Sequence, residues 1–190
     1  MGKLTRREFK KQMNRERMIH AAVQLFSSRP FSEVSIREIA KLADVSPGLI
    51  YKYFPDQQHL FMEALIIESK GLYEYLESET DIEMIASRYI NYMYKHETLY
   101  QMMAYFMLEM NKPSSITDQL RGIINPILTM IESALNLDNK KGTREQAQLF
   151  FSSLNGLLIT YKNLPGRPED KNLAHIHTLA KLLVKQLRGT

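Results

Sequence analysis

The chain has 190 residues, no cysteine and a formal net charge of +4 from 25 Lys/Arg and 21 Asp/Glu. This length suits one compact domain or a small domain joined to a larger one, with a core that needs no disulfide or metal. The absence of cysteine excludes thiolate nucleophiles, disulfides and the usual structural zinc sites. The charged N-terminus has no apolar run typical of signal peptides, and no segment approaches the roughly 20 apolar residues of a membrane span. We therefore expect a soluble, cytoplasmic protein.

The basic residues are concentrated at the N-terminal end. Residues 1–53 contain eleven Lys/Arg and five Asp/Glu, whereas residues 54–190 contain fourteen and sixteen. Such asymmetry favours a polyanionic partner for the N-terminal segment, with nucleic acid ahead of an anionic membrane surface. A solvated basic tail is the alternative that charge alone leaves open.

The first two predicted helices cover residues 14–28 and 35–43. Apolar residues recur at helical spacing in both segments. The second helix begins with a capping box, in which the Ser35 hydroxyl accepts from the Glu38 amide and Glu38 reaches back to the Ser35 amide. The two segments therefore predict helices that bury one face against each other.

A third helix is predicted to begin at Ser46, which can cap it, with Pro47 at the first helical position. Ile50 and Phe54 hold this helix on the first two, so the interruption is read as a helix-turn-helix corner. Its slim start at Ser46, Pro47 and Gly48 can enter a major groove of DNA.

Several exposed side chains of the corner are suited to DNA. Tyr51, Lys52 and Tyr53 offer hydroxyl and ammonium donors for backbone phosphates. Arg37, in the preceding helix, is the candidate for a bidentate contact to guanine. Together with the basic N-terminal segment, these residues favour DNA binding over a merely structural corner.

The rest of the chain also reads as helix. Capping signals and apolar stripes predict further helices over about 55–78, 81–111 (two helices), 116–137, 143–162 and 169–188. No strand pattern is present. The sequence predicts an all-α protein of about nine helices, with a three-helix DNA-binding domain over residues 1–54 and a helical effector-binding and dimerisation domain over residues 55–190.

The segment SIREIAKLADVSPGLIYKYFPDQQHLF and the helix before it resemble the DNA-binding domain of the TetR/AcrR family of bacterial transcription regulators. The resemblance covers about residues 14–62. It implies a homodimer that pairs through its last two helices and a C-terminal helical domain that binds an effector. The DNA contacts implied by the family motif fall on Ser35, Ile36, Arg37, Ser46, Pro47, Gly48, Leu49, Tyr51, Lys52 and Tyr53.

The chain departs from the family motif at two positions. Asp44 stands where glycine is usual, and aspartate tolerates a left-handed backbone better than most residues. Gln57 stands where a phosphate-binding lysine is usual. Gln57 and the N-terminal amides of its helix can hydrogen-bond a phosphate without the charge, and the basic N-terminal segment can compensate.

A methionine- and tyrosine-rich segment predicts an effector pocket. Residues 84–110 contain six of the 11 methionines and five of the 10 tyrosines. Methionine adapts to irregular cavities, and tyrosine combines an apolar body with one polar group. Ordinary core packing is the alternative. The candidate effector-binding residues are Tyr89, Tyr92, Met93, Met103, Tyr105, Phe106, Met107 and Met110.

The last two predicted helices carry broad apolar stripes. We interpret them as half of an intermolecular four-helix bundle, in which Gly156 permits close approach. The alternative is an intramolecular hairpin packed on the core. The candidate dimer-interface residues are Phe150, Phe151, Leu154, Leu158, Ile176, Ala180, Leu183 and Leu187.

No catalytic arrangement stands out in the sequence. His175 and His177 lie on different faces of a helix and make a poor metal pair. We expect no enzymatic activity, metal or cofactor. The sequence predicts a repressor that binds a pseudo-palindromic operator as a dimer and is released by a small, largely apolar effector. A ligand-independent DNA-coating protein is the alternative, and a helical enzyme or carrier with the same fold is the third hypothesis.

Overall fold

The computed structural model describes residues 5–108, 117–137 and 143–188. Over these ranges the chain forms nine α-helices, one 3₁₀ turn at residues 31–33 and no strand, which confirms the predicted all-α fold. None of the helices in the described ranges is long and apolar enough to cross a membrane. The helices are α1 (Arg6–Phe26), α2 (Ile36–Leu42), α3 (Pro47–Tyr51), α4 (Gln57–Leu76), α5 (Ile82–Lys95), α6 (Glu97–Leu108), α7 (Thr117–Leu137), α8 (Arg144–Tyr161) and α9 (Glu169–Arg188).

Two helices begin at positions that differ from the prediction. The helix α1 begins at Arg6 because Thr5 and Glu8 form a capping box, a signal that the sequence pattern T-x-x-E carries. The helix α4 begins at Gln57, two residues after the predicted Pro55, because the Asp56 carboxylate accepts from the His59 amide at 2.8 Å. Local capping chemistry, not proline, therefore sets the start of α4.

The chain divides into two compact units. The first contains residues 1–68 and 98–119, and the second contains residues 69–97 and 120–190. This division differs from the predicted boundary between residues 54 and 55, because the first unit also takes the beginning of α4 and most of α6. The two compact units are therefore interleaved along the chain.

Four aromatic rings explain why α4 and α6 contribute to the first unit. The rings of Phe31 and Tyr105 stack at 4.6 Å, and Phe61 packs edge-on against them at 5.1 and 5.3 Å. Phe26, at the end of α1, packs against Phe31 and Phe61 at 5.5 and 5.2 Å. Such pairs contribute about 0.5–1.5 kcal/mol each beyond their burial. The cluster joins the end of α1, the 3₁₀ turn, α4 and α6.

The core of the second unit contains a buried polar pair between α5 and α8. Tyr89, 1% exposed, donates its hydroxyl hydrogen to Asn155 at 2.7 Å, and its ring packs edge-on against Phe151. The Asn155 amide in turn donates to the Phe151 carbonyl at 2.8 Å. Burial raises the pKa of the Tyr89 hydroxyl well above its usual value, so it remains a proton donor.

The Tyr89–Asn155 pair is open to a double-mutant test. Asn155→Leu leaves the buried Tyr89 hydroxyl without its acceptor, so we expect a cost of about 1–3 kcal/mol in the free energy of unfolding. Tyr89→Phe together with Asn155→Leu removes both polar groups and should cost less than the sum of the two single changes. Urea unfolding of the four proteins measures this coupling, and strictly additive costs would show that the hydrogen bond contributes no coupling energy.

The structure corrects the predicted dimer interface. Six of its eight residues are at most 5% exposed within the single chain. Their side chains pack in the core of the second unit and are not available to a partner. The remaining two, Leu183 and Leu187, are half-buried. The six are Phe150, Phe151, Leu154, Leu158, Ile176 and Ala180.

The helix α9 is held against α5 by polar contacts. Arg188 pairs with Asp81, the N-cap of α5, at 2.7 Å, and the His177 ring nitrogen lies 2.9 Å from the Asn91 side-chain oxygen. These contacts lie on the inner side of α9. On the outer sides of the last two helices, Leu149 of α8 is 60% exposed and Leu182 of α9 is 53% exposed.

Candidate nucleic-acid interface

The corner between α2 and α3 forms as its capping residues predict. The hydroxyl of Ser46 accepts from the Leu49 amide at 3.2 Å, and Pro47 occupies the first turn of α3. Asp44, in the turn, has a left-handed backbone with φ of 54°, which explains why glycine suits this position. Ile50 is fully buried and is the buried residue of α3. One apolar anchor and one cap thus hold a five-residue helix on the domain.

The start of α2 is also set by its predicted cap. Ser35 and Glu38 form both hydrogen bonds of a capping box, and Arg29 pairs with Glu38 at 2.9 Å. The hydrogen bonds from Ser35, followed by Arg29, lower the pKa of Glu38 to about 2. Because this folded-state pKa lies below the unfolded one, the cap stabilises α2 at neutral pH and is lost only as the pH falls towards 2.

Most of the predicted DNA-contacting residues lie at one surface. A groove there is lined by residues from α2, α3 and the start of α4, among them Arg37, Pro47, Tyr51 and Gln57. Leu49, Tyr53 and Gln57 are half-buried. The exposed members of the predicted set are Ser35, Arg37, Ser46, Pro47, Gly48, Tyr51 and Lys52.

The side chain of Ile36 is not accessible to DNA, contrary to the prediction. Its side chain is 8% exposed and belongs to the core, so only its backbone can face a phosphate. The family motif marks the position, whereas burial decides which atoms of the residue are accessible.

The basic side chains of this surface are available to a ligand. Within residues 5–108, 117–137 and 143–188, Arg37 and Lys52 take part in no ion pair, whereas Arg17 pairs with Asp44 at 3.2 Å. An arginine and a lysine held at the surface without a carboxylate partner leave an electropositive region beside α3, which favours a polyanion.

Gln57 is engaged within the chain. Its side-chain amide donates to the Val34 carbonyl at 2.6 Å and so links the start of α4 to the strand-like residue before α2. The predicted phosphate contact of Gln57 therefore competes with this hydrogen bond.

The basic N-terminal segment is helical from Arg6, whereas the sequence pattern predicts that the first helix begins at residue 14. Residues 6–13 of α1 are exposed, and they include four basic residues, together with Phe9 at 57% and Met13 at 42% exposure. The capping box of Thr5 and Glu8 could have predicted this helical turn. The segment presents its charges on a regular helix instead of a flexible arm.

The predicted effector residues are divided between the two units. Tyr89 and Met93 are buried in the second unit and Tyr92 is half-buried there, with its ring stacked on His96 at 3.8 Å. In the first unit, Met103 and Phe106 are buried, and Met107 is half-buried. Met110 lies outside the described residues.

Tyr105 lines a cavity of about 310 Å³ in the first unit. The cavity is bounded by the end of α1, the residues after it, Phe61 of α4 and one face of α6. A volume of this size is at the lower end of the range for small-molecule sites.

Comparison with known proteins places the corner in a described family. Residues 18–64 match the model of the family described as "Bacterial regulatory proteins, tetR family". The chain is 33% identical over 72 residues to the HTH-type transcriptional repressor KstR of Mycolicibacterium smegmatis, a match that covers 38% of this chain and 33% of that protein. The chain thus spans about a third of the length of the curated relatives that it matches.

Solved structures share the fold over nearly the whole chain. A tetR-family regulator from Streptomyces coelicolor has a TM-score of 0.72 at 18% identity, covering 94% of this chain and 83% of that one. The regulator FadR of Bacillus subtilis, solved in complex with stearoyl-CoA, has a TM-score of 0.69 at 18% identity, covering 89% and 97%. Similarity at this identity concerns the arrangement of helices.

Proposed function

This chain belongs to the TetR/AcrR family of bacterial transcription regulators, and from that premise we propose that it is a ligand-responsive repressor that binds a pseudo-palindromic DNA operator as a homodimer. Three of the curated relatives that the chain matches are named transcriptional repressors.

The observation that carries the proposal is the exposed, slender start of α3 beside unpaired basic side chains. Ser46, Pro47 and Gly48 place no large side chain at the N-terminus of α3, so this end can lie in a major groove. Tyr51, 56% exposed, and Lys52 then flank the helix for phosphate contacts. Arg37 projects from α2 towards the same groove-facing surface for contact with a base edge.

A dimer would supply two such surfaces. In a two-fold arrangement each α3 reads one half-site, and the half-sites lie about 34 Å apart or at a multiple of that spacing. The outward faces of α8 and α9 are the surfaces that we assign to the partner. They carry the exposed side chains of Leu149 and Leu182. Gly156 of α8 is also exposed and has open space beside its Cα.

The dimer assignment predicts a change of oligomeric state. Leu149→Glu and Leu182→Glu in one chain should convert the dimer to a monomer, because four carboxylates would meet in an apolar two-fold interface. Light scattering after size exclusion measures the mass. The control is Leu108→Glu, which should stay dimeric. Leu108 is 65% exposed and lies outside α8 and α9. A dimeric double variant would exclude this pair of faces.

The effector is proposed to be small and largely apolar. The structural relative FadR of Bacillus subtilis was solved with stearoyl-CoA, a molecule with a long apolar chain. In this chain, the proposed contacts are the methionine- and tyrosine-rich residues of α6 in the first unit. Effector binding would shift α4, which contributes residues to both units, and so alter the separation of the two DNA-reading helices.

The proposed function is tested by selection of DNA sequences from a random pool, followed by footprinting on the selected site. The expected result is a short, symmetric protected region and a selected sequence with an inverted repeat. Uniform protection of any duplex would favour the DNA-coating alternative. Failure to retain duplex DNA at low salt would contradict both readings.

A further inference from the structure

The cavity in the first unit has walls suited to an aromatic molecule. Phe26 and Phe61, 3% and 1% exposed, form its inner wall, and Phe31 and Tyr105 stack beside them. Aromatic rings that line a cavity favour offset-stacked and edge-on contacts with another ring. Exposed Gln101 and Leu108 also line the cavity, so a small molecule can reach it from solvent.

The size of the cavity limits the occupant. Its volume is about 310 Å³. A cavity of roughly 150 Å³ lined by apolar side chains binds benzene. About twice that volume accommodates a two-ring aromatic body with one small substituent and excludes a large cofactor.

The charge of the cavity lining indicates which substituent the bound aromatic molecule carries. Among the described residues that line it, Arg29 alone is charged. Its guanidinium group pairs with Glu38 at 2.9 Å, yet a guanidinium carries five N–H donors and can bind two carboxylates. An anionic group on the occupant can therefore bind Arg29.

Arg29 connects the cavity with the DNA-reading surface. Its partner Glu38 accepts hydrogen bonds from both the backbone amide and the hydroxyl of Ser35 at the start of α2. Arg37 lies on the first turn of that helix. A second carboxylate at Arg29 would share the guanidinium donors with Glu38, weaken that ion pair and so loosen the residues that position Arg37.

We propose that this cavity binds a small aromatic carboxylate and that its occupancy weakens DNA binding through the Arg29–Glu38–Ser35 contacts. The site lies within the first unit, separate from the buried residues of α5. The proposal has a binding half, that the cavity binds an aromatic carboxylate, and a regulatory half, that this binding weakens DNA affinity. The binding half does not depend on the proposed function, whereas the regulatory half rests on it.

The binding half is tested by calorimetry on the full chain. The probe is 2-naphthoate, and the control compound is the neutral 2-naphthamide, which has the same two-ring body. The expected result is saturable one-to-one binding of the carboxylate, with the amide about tenfold weaker or more. Ala104→Phe, which fills the cavity from α6, should abolish binding. Arg29→Met should weaken it about tenfold. Arg15→Met is the control, because Arg15 forms an ion pair with Glu63 in the same unit outside the cavity lining and should bind as the wild type does.

The results separate the two halves of the proposal. No binding to the wild type, equal binding of the amide, or unchanged binding by Ala104→Phe would overturn the site. Fluorescence anisotropy on the selected operator then measures coupling, and saturating 2-naphthoate should weaken wild-type DNA binding by about fivefold or more. The same addition should leave Ala104→Phe unaffected. Naphthoate binding without a change in DNA affinity would overturn the regulatory half, whereas a ligand-free protein that selects no operator would refute the proposed function and leave the binding result standing.

Discussion

Replacement of Arg37 by alanine is expected to weaken binding to the selected operator by about 1–3 kcal/mol and to relax the base preference at one position of each half-site. Arg37 is exposed on the first turn of α2 and has no ion-pair partner within the described ranges, so its loss leaves no carboxylate unpaired. The change therefore reports on DNA recognition, with little effect on folding. Binding assays on the operator and on single-base variants measure both quantities.

Lys52→Ala is the matched comparison for Arg37→Ala. Lys52 is an exposed ammonium at the end of α3, placed for a phosphate and not for a base edge. Its removal should weaken all sequences alike and lower the slope of log affinity against log salt by about one unit. Equal sequence dependence in the two variants would contradict the assignment of Arg37 to base recognition.

Ile50→Ala is expected to have the largest effect on the folded state of the DNA-reading surface. Ile50 is 0% exposed and is the buried residue of α3. Truncation of a buried isoleucine costs about 2–5 kcal/mol, because transfer free energy is lost and a cavity remains. Since α3 has no other buried side chain to hold it, operator affinity should also fall by about tenfold or more, as the binding-competent fraction decreases.

The control for Ile50→Ala is Leu42→Ala in the neighbouring helix. Leu42 is a large apolar residue of α2 that is 44% exposed, so its truncation should change stability by less than about 0.5 kcal/mol. Urea unfolding gives the stability of each variant, and anisotropy gives the operator affinity. An Ile50→Ala protein with wild-type stability and affinity would show that α3 is positioned by contacts other than its buried anchor.

The sequence contained the information for the DNA-reading corner because that information is local. A capping box spans four residues, and the hydrogen bonds of Ser35 with Glu38 and of Ser46 with Leu49 form as their spacing predicts. The same holds for Thr143 at the start of α8. The capping box of Thr5 and Glu8 is equally local, and its spacing predicts the helical N-terminal segment.

The sequence did not reveal which apolar residues remain accessible. The stripes of α8 and α9 have the same periodicity whether they face their own chain or a partner, so Phe150 and Ile176 were assigned to an interface although both are fully buried in the single chain. Periodicity identifies an apolar face, and only the packing of helices distant in sequence decides what covers it.

The cavity of the first unit illustrates the same distinction. Phe26, Phe31, Phe61 and Tyr105 come from four separate segments, and no sequence spacing links them. By itself, the sequence determined the helices, their caps and the helix-turn-helix corner, because hydrogen bonds between residues three or four apart specify these features. Tertiary structure alone decided the interleaved units, the burial of Ile36 and the meeting of four rings beside Arg29, because those depend on contacts between residues far apart in the chain.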